Sequence, residues 1–172
     1  LPAELPPVIS SMDIATHRPD LETIRKWVHG TWLINSNAAT IEELCIDTRK
    51  VAVPADALFI ALPSQRRDGH SFIQSAYEKG IRNFLVQQAI DAATLQGANI
   101  IQVKDTLVAL QLLAATWRKQ FTIPVIGITG SNGKTVVKEW LYQLLDSTYA
   151  AVRSPKSYNS QIGVPLSVWL TE

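Results

Sequence analysis

The sequence predicts an α/β chain, with a self-sufficient N-terminal α/β unit followed by the start of a second unit that opens like a P-loop, Rossmann-like domain. Three observations carry this. Short β-branched runs alternate with stretches of helical periodicity from about residue 20 onward. The run Val125-Ile126-Gly127-Ile128-Thr129 leads into Gly130-Ser131-Asn132-Gly133-Lys134-Thr135, and a helical pattern opens behind it. Between the two regions, Phe121 to Pro124 breaks a long helix and makes a natural boundary. The units drawn this way are a leader, 1–19, an α/β domain, 20–121, and an incomplete second domain, 122–172.

The leader carries prolines at 2, 6, 7 and 19, which suggests an extended, mobile segment. It lacks the basic-then-apolar order of a signal peptide, and Met12 is a candidate natural start. Asp20 reads as a helix N-cap, followed by Leu21, Ile24, Trp27 and Val28 on one face and by Gly30 as the stop. Thr31–Ile34, Leu44–Ile46 and Ala57–Leu62 read as strands, with a loop carrying Asp47, Thr48, Arg49 and Pro54 between the last two. Gly69–Lys79 reads as a helix with Phe72, Ile73, Ala76 and Tyr77 inward, ended by Gly80. Asn83–Val86 and Asn99–Val103 are strands, with a short helix at Asp91–Leu95 between them.

Asp105 then caps a helix to about Gln120 whose apolar stripe includes Leu107, Leu110, Ala114 and Trp117. Val125–Thr129 is the next strand, and Lys134–Leu145 the next helix, with Val137, Trp140, Leu141 and Leu144 on one face. Ala150–Arg153 is a further short strand; after turn residues Ser154–Ser160, Gly163 and Pro165 introduce a last apolar helical segment. One β-loop-α-β unit and the start of a helix cannot close a doubly wound sheet. The chain is therefore expected to end inside its second domain, as part of something longer.

With 172 residues, 47% of them hydrophobic, the chain can bury a sizeable core. Its formal charge of +1 argues against an electrostatic nucleic-acid binder but leaves small anionic ligands open. Cys45 is the only cysteine, so an intrachain disulfide is excluded; it reads as a buried strand thiol, and a cytoplasmic location fits. No apolar run approaches the ~18–20 residues that span a bilayer, so no membrane partner is expected. His17 and His29 have no metal-ligand spacing and read as surface residues, and the five tryptophans read as packing.

The glycine loop is the candidate nucleotide site. Glycines let successive backbone N–H groups turn onto phosphate oxygens, and the positive end of the following helix points at the same place. Lys134 brings a full charge to the β/γ-phosphates, and Thr135 offers a hydroxyl to Mg²⁺. The general pattern G-x-x-x-x-G-K-[ST] would need glycine where Ile128 stands, so the loop is the shorter G-x-x-G-K-T. The plainer reading is a glycine turn with Lys134 solvated at a helix start.

Three stretches together resemble the Mur ligases of peptidoglycan synthesis: Asp47-Thr48-Arg49 with Asp68-Gly69-His70-Ser71-Phe72, the TGSNGKT loop, and Tyr158-Asn159-Ser160-Gln161-Ile162-Gly163-Val164-Pro165-Leu166. The short loop is the form this family shares with folylpolyglutamate synthase. The D-[ST]-R loop and D-G-H-x-F helix narrow the resemblance to ligases that extend the stem peptide. The N-x-x-IGVPL segment, with Lys138-Glu139-Trp140, is most similar to members that add D-alanyl-D-alanine to UDP-N-acetylmuramoyl-tripeptide. The details VVKEWLYQLLD and SYNSQIGVPLSVWL resemble a variant fused to an alanine racemase, which would add pyridoxal phosphate.

The resemblance implies ATP and Mg²⁺ as cofactors and an acyl-phosphate route to an amide bond. Gly130, Ser131, Asn132 and Gly133 would cradle the phosphates, Lys134 would stabilise developing charge, and Thr135 would hold Mg²⁺. Residues 20–121 would be the UDP-substrate-binding domain, with Thr48, Arg49, His70 and Asn159 at the substrate. A guanidinium suits a diphosphate because its planar fork bonds two oxygens at once. The alternatives are a loop Arg49 paired with Asp47 or Asp56, a helix-capping His70 and a turn Asn159. Residues 1–172 alone are expected to form no amide bond, because the remaining Mg²⁺ ligands, the adenine pocket and the amino-acid domain would lie beyond Glu172. Another Mur ligase, a folylpolyglutamate synthase-like ligase and a non-catalytic nucleotide-binding module are the rival readings.

Overall fold

The computed structural model describes residues 18–49, 51–64, 68–155, 158 and 160–172. Its α/β architecture is organised by a five-stranded sheet. The strands are β1 (Thr31–Ile34), β2 (Glu43–Cys45), β3 (Ala57–Ile60), β4 (Asn83–Val86) and β5 (Asn99–Gln102), in spatial order β1-β5-β4-β3-β2. β2, β3, β4 and β5 run parallel; β1 closes the other edge antiparallel to β5, with a register shift between Trp32 and Ile34.

β3 and β4 are buried along their whole length, as a parallel sheet covered on both faces requires. Alternation sorts their side chains. Leu58, Ile60, Leu85 and Ile101 enter one core with helices α1 (Leu21–Trp27), α3 (Thr106–Arg118) and the C-terminal Trp169. Phe59, Phe84, Val86 and Ile100 enter the other, under helix α2 (Ile73–Glu78). Helix α5 (Gly163–Val168) lies against α3. Among the described residues no helix is long and apolar enough to cross a membrane.

The expected caps form. Asp20 Oδ1 accepts from the Thr23 N–H at 2.8 Å, and Asp105 Oδ1 from Leu107 and Val108 at 2.8 and 2.9 Å. Gly80 takes φ 98° and ends α2: its own N–H reaches the Tyr77 carbonyl and that of Ile81 reaches Ala76.

Gly30 does not play that part for α1. His29 holds the left-handed position at φ 53°, with His29 N–H to Lys26 and Gly30 N–H to Arg25 completing the motif. Gly30 is required for another reason: a Cβ there would collide with Ile101 Cγ2 and sit 3.2 Å from the Gln102 carbonyl.

The expected Gly69–Lys79 helix begins as a 3₁₀ turn, Gly69–Phe72, before α2. Three residues per turn instead of 3.6 rotates Phe72 outward, while Ile73 and Ala76 stay buried. Asp91–Leu95 likewise tightens to a 3₁₀ turn at Ala92–Thr94.

Two expected strands do not form: 121–130 and 150–154 have neither strand nor helix, and Val125 is 69% exposed. β-branched sequence gives propensity, but a strand also needs a neighbouring ladder, and no strand lies beside either segment among the described residues. Helix α4 (Lys134–Leu145) has the expected bounds, yet its stripe is uncovered and Trp140 is 65% exposed. Trp140 is therefore not a packing residue within the described structure, in contrast to Trp117 and Trp169.

Candidate functional site

The glycine loop closes over the head of α4. Gly130 takes φ 142° and Gly133 φ 78°, and Gly133 is the N-cap of the helix. A Cβ at Gly133 would meet nothing within 4 Å. Conformation rather than space therefore requires glycine there, since only glycine adopts that φ without strain. The Gly133 carbonyl accepts from Val137 at 2.9 Å, the first bond of a helix whose free N–H groups face the loop.

Lys134 folds back over this loop, its Nζ donating to the Gly130 carbonyl and reaching Ser131 O at 3.5 Å. The ammonium thus lies where loop amides and helix end converge, and the donor set suits a polyphosphate. Ser131 and Asn132 are exposed in the loop, and Thr135 is exposed next to Lys134 in the first turn, a position from which a hydroxyl can serve a cation. Lys138 Nζ donates to the Ser154 carbonyl at 2.7 Å and pairs with Glu139 at 3.1 Å; Glu139 also pairs with Arg153. These contacts tie α4 to the segment after it.

The second group of residues follows β2. Asp47 Oδ1 accepts from the Arg49 backbone N–H at 3.1 Å, and its carboxylate takes the Arg49 guanidinium in a two-pronged pair at 2.8 and 2.6 Å. This pair holds the Arg49 pKa above its ordinary value. It is the alternative that the sequence left open for Arg49, and it leaves the exposed side chain pre-oriented by its partner. The Thr48 hydroxyl accepts from Lys79 Nζ at 2.8 Å. Lys79, just past α2, was not singled out by the sequence, where it reads as an ordinary last-turn lysine; the fold alone brings it to Thr48.

His70 stands apart, at the carboxyl end of the sheet, with its side chain 7% exposed. Nδ1 lies 2.7 Å from Asp68 Oδ1, and Nε2 accepts from the backbone N–H groups of Gln87 and Gln88 at 3.1 and 3.3 Å. An Nε2 that accepts twice assigns the ring proton to Nδ1. The helix cap is Asp68, which accepts from His70 N–H at 3.0 Å; that bond first, then the ring, lowers its pKa. Both ring nitrogens are thus committed to the protein. Asn159 lies outside the described residues.

A cleft of about 280 Å³ runs along the β2 edge. One wall is the run Glu42 to Asp47; the other is Pro155, Tyr158, Leu166, Trp169 and Leu170. Leu44 and Cys45 belong to opposite cores yet both line it, so the cleft follows the edge of the sheet rather than a face. It joins the Asp47 loop to Leu166 of α5 and the turn after that helix. Burial pushes the Cys45 thiol up to about 11, so it is no nucleophile near neutral pH.

The chain matches two family models in order: the Mur ligase family, catalytic domain, over residues 40–118, and the Mur ligase middle domain over residues 128–170. It is 42% identical over 125 residues to a UDP-N-acetylmuramoyl-tripeptide–D-alanyl-D-alanine ligase of Synechocystis sp., a match covering 73% of this chain and 27% of that protein. A crystal structure of MurF from Acinetobacter baumannii superposes with a TM-score of 0.75 at 27% identity, covering 87% of this chain and 32% of the other. MurF ligase from Thermotoga maritima, solved in complex with ADP, gives a TM-score of 0.61 at 29% identity over 74% of this chain and 28% of the other. The chain thus spans about a third of the length of these proteins. On sequence, fold and the form of its glycine loop, it belongs to the Mur ligase family and is similar to the MurF members of it.

Proposed function

We propose that the chain forms the UDP-substrate domain and the start of the ATP domain of a cytoplasmic ligase. That ligase joins D-alanyl-D-alanine to UDP-N-acetylmuramoyl-tripeptide in peptidoglycan synthesis. Residues 20–121 would be the first domain and 122–172 the opening of the second. The observation that carries the reading is the loop itself: Gly133, left-handed at the head of α4, beneath the Lys134 ammonium, in a chain that matches both Mur domains in order.

The residues have separable tasks. Loop amides from Gly130 to Gly133 bind the phosphate oxygens of ATP, and Lys134 neutralises charge as the γ-phosphoryl group moves to the terminal carboxylate of the tripeptide. The D-alanyl-D-alanine amine then attacks the activated carbonyl and phosphate leaves. Thr135 would help to hold a Mg²⁺ ion, which would supply further charge neutralisation. On the other substrate, Thr48 and Arg49 hold the diphosphate, with Asn159 near the sugar-peptide. His70 serves this side by tying the Asp68 turn to the end of β4. The cleft is near the lower end of ligand pockets, roughly 300–1,000 Å³, so it would take only part of so large a nucleotide. A racemase fusion with pyridoxal phosphate draws no support from the named relatives, which are ligases, and is no part of this proposal.

Phosphate release by the whole polypeptide, measured while omitting each substrate in turn, tests the reading. Release that requires UDP-N-acetylmuramoyl-tripeptide and D-alanyl-D-alanine together with ATP supports it. Release equally fast with another amino acid in place of the dipeptide would move the protein to another Mur ligase.

A further inference from the structure

Arg18 lies just outside the α/β unit in sequence, yet its side chain is only 11% exposed. Its guanidinium sits 5.2 Å from the ring centre of Trp117 on α3 and 5.4 Å from that of Trp169, beyond α5. Its Nη1 donates to the Trp169 carbonyl at 2.7 Å and its Nη2 to Glu172 at 3.2 Å, while Nε lies 3.5 Å from a Glu42 carboxylate oxygen. Two further bonds complete the assembly: Trp169 Nε1–H to the Glu42 carbonyl at 2.9 Å, and Trp117 Nε1–H to the Thr171 carbonyl at 3.2 Å. Only a planar cation with several donors can stack on two rings, donate to two oxygens and pair with a third; a lysine could satisfy part of this but not all.

These groups also touch the cleft. Glu42 and Trp169 line opposite walls of it, and Arg18 engages both. We infer that Arg18 is a positioning residue: it latches the Gly163–Val168 helix and its C-terminal turn onto the first α/β unit, and so sets the spacing of the two cleft walls. None of the three family motifs includes Arg18, and both family matches begin after it. The inference rests on the proposed reading in one respect, that a muramoyl-peptide nucleotide spans both walls while its UDP part is held by the first unit alone.

The test is calorimetric titration of the chain and its Arg18→Met variant with two probes, UDP and UDP-N-acetylmuramoyl-tripeptide. The latch predicts UDP affinity within about twofold of wild type, and affinity for the tripeptide nucleotide lowered about tenfold, the scale of a desolvated cation–π contact. A variant that binds both probes like wild type, or loses both equally, overturns it. Should Arg18→Met fail to fold, Arg18→Lys keeps the charge without the planar fork and must show the same split at smaller size. If wild type binds neither probe, the proposed function fails. The latch is then judged by amide exchange at Trp169, Leu170 and Thr171, whose N–H groups bond within this turn. Faster exchange there in the variant, with the sheet unchanged, supports the latch, and unchanged protection overturns it.

Discussion

The side-chain amide of Asn99 donates to Oδ1 of Asn83 at 2.9 Å, and the two residues are also backbone partners across β5 and β4. Both are buried, and each completes its bonding elsewhere. Asn83 Nδ2 reaches the Ala55 and Ala57 carbonyls, and Asn99 Oδ1 accepts from the Ser36 and Asn37 N–H groups. A chain of amides thus crosses from the β3 side of the sheet to the loop after β1. A slip of register would strand several of these groups without water.

Replacing Asn99 with alanine should therefore cost about 1–3 kcal/mol, mainly from the buried Asn83 Oδ1 acceptor left unmet. Urea denaturation checks it; a change below about 0.5 kcal/mol would mean that the network carries little of the sheet's stability.

Trp169 packs on Trp117 with ring centres 5.2 Å apart, inside the core shared with α1 and α3. Trp169→Ala should destabilise the chain by about 3–5 kcal/mol, whereas Trp140→Ala, on the uncovered face of α4, should change it by less than about 0.5 kcal/mol. Equal losses at the two positions would contradict the packing described here.

At the end of α1, Gly30→Ala should cost about 1–3 kcal/mol by forcing a methyl group against Ile101. His29→Gly should change stability by less than about 1 kcal/mol, since relief of the left-handed φ is offset by glycine's unfolded-state entropy. Thermal unfolding of the two variants separates close approach from backbone conformation.

Cys45 should resist alkylation while the chain is folded. With its pKa raised to about 11 by burial, its thiolate fraction at pH 8 is lower by roughly two orders of magnitude than that of a free thiol near 8.5. The sign for stability follows: the buried neutral thiol favours the folded chain below the unfolded pKa, and that contribution is lost as pH rises from there towards the folded value. Iodoacetamide labelling followed by mass spectrometry checks it; fast labelling of native protein at pH 8 would show that the site is open.

Much of this was legible because the signals are local. A carboxylate one residue ahead of an apolar periodicity announced the caps at Asp20 and Asp105, and Gly80 announced the end of α2. The glycine loop and α4 could be read because their chemistry lies within a few consecutive residues. The misreadings are tertiary. Val125–Thr129 has strand propensity, but no described neighbour gives it a ladder. Gly30 has the right place for a helix stop, but its reason lies in Ile101, some 70 residues away. Arg18 and Lys79 carried no signal at all, because nothing in their surroundings along the chain anticipates Trp117, Trp169 or Thr48.

The most direct test of the central claim is the rate of ATP-dependent phosphate release by the whole polypeptide with UDP-N-acetylmuramoyl-tripeptide and D-alanyl-D-alanine, compared between wild type and Lys134→Ala. If the Lys134 ammonium over the Gly130–Gly133 loop stabilises the transferring phosphoryl group, the variant should be slower by about 10²–10³ or more, with its fold unchanged by circular dichroism. Phosphate release at the wild-type rate in the folded variant would contradict the account.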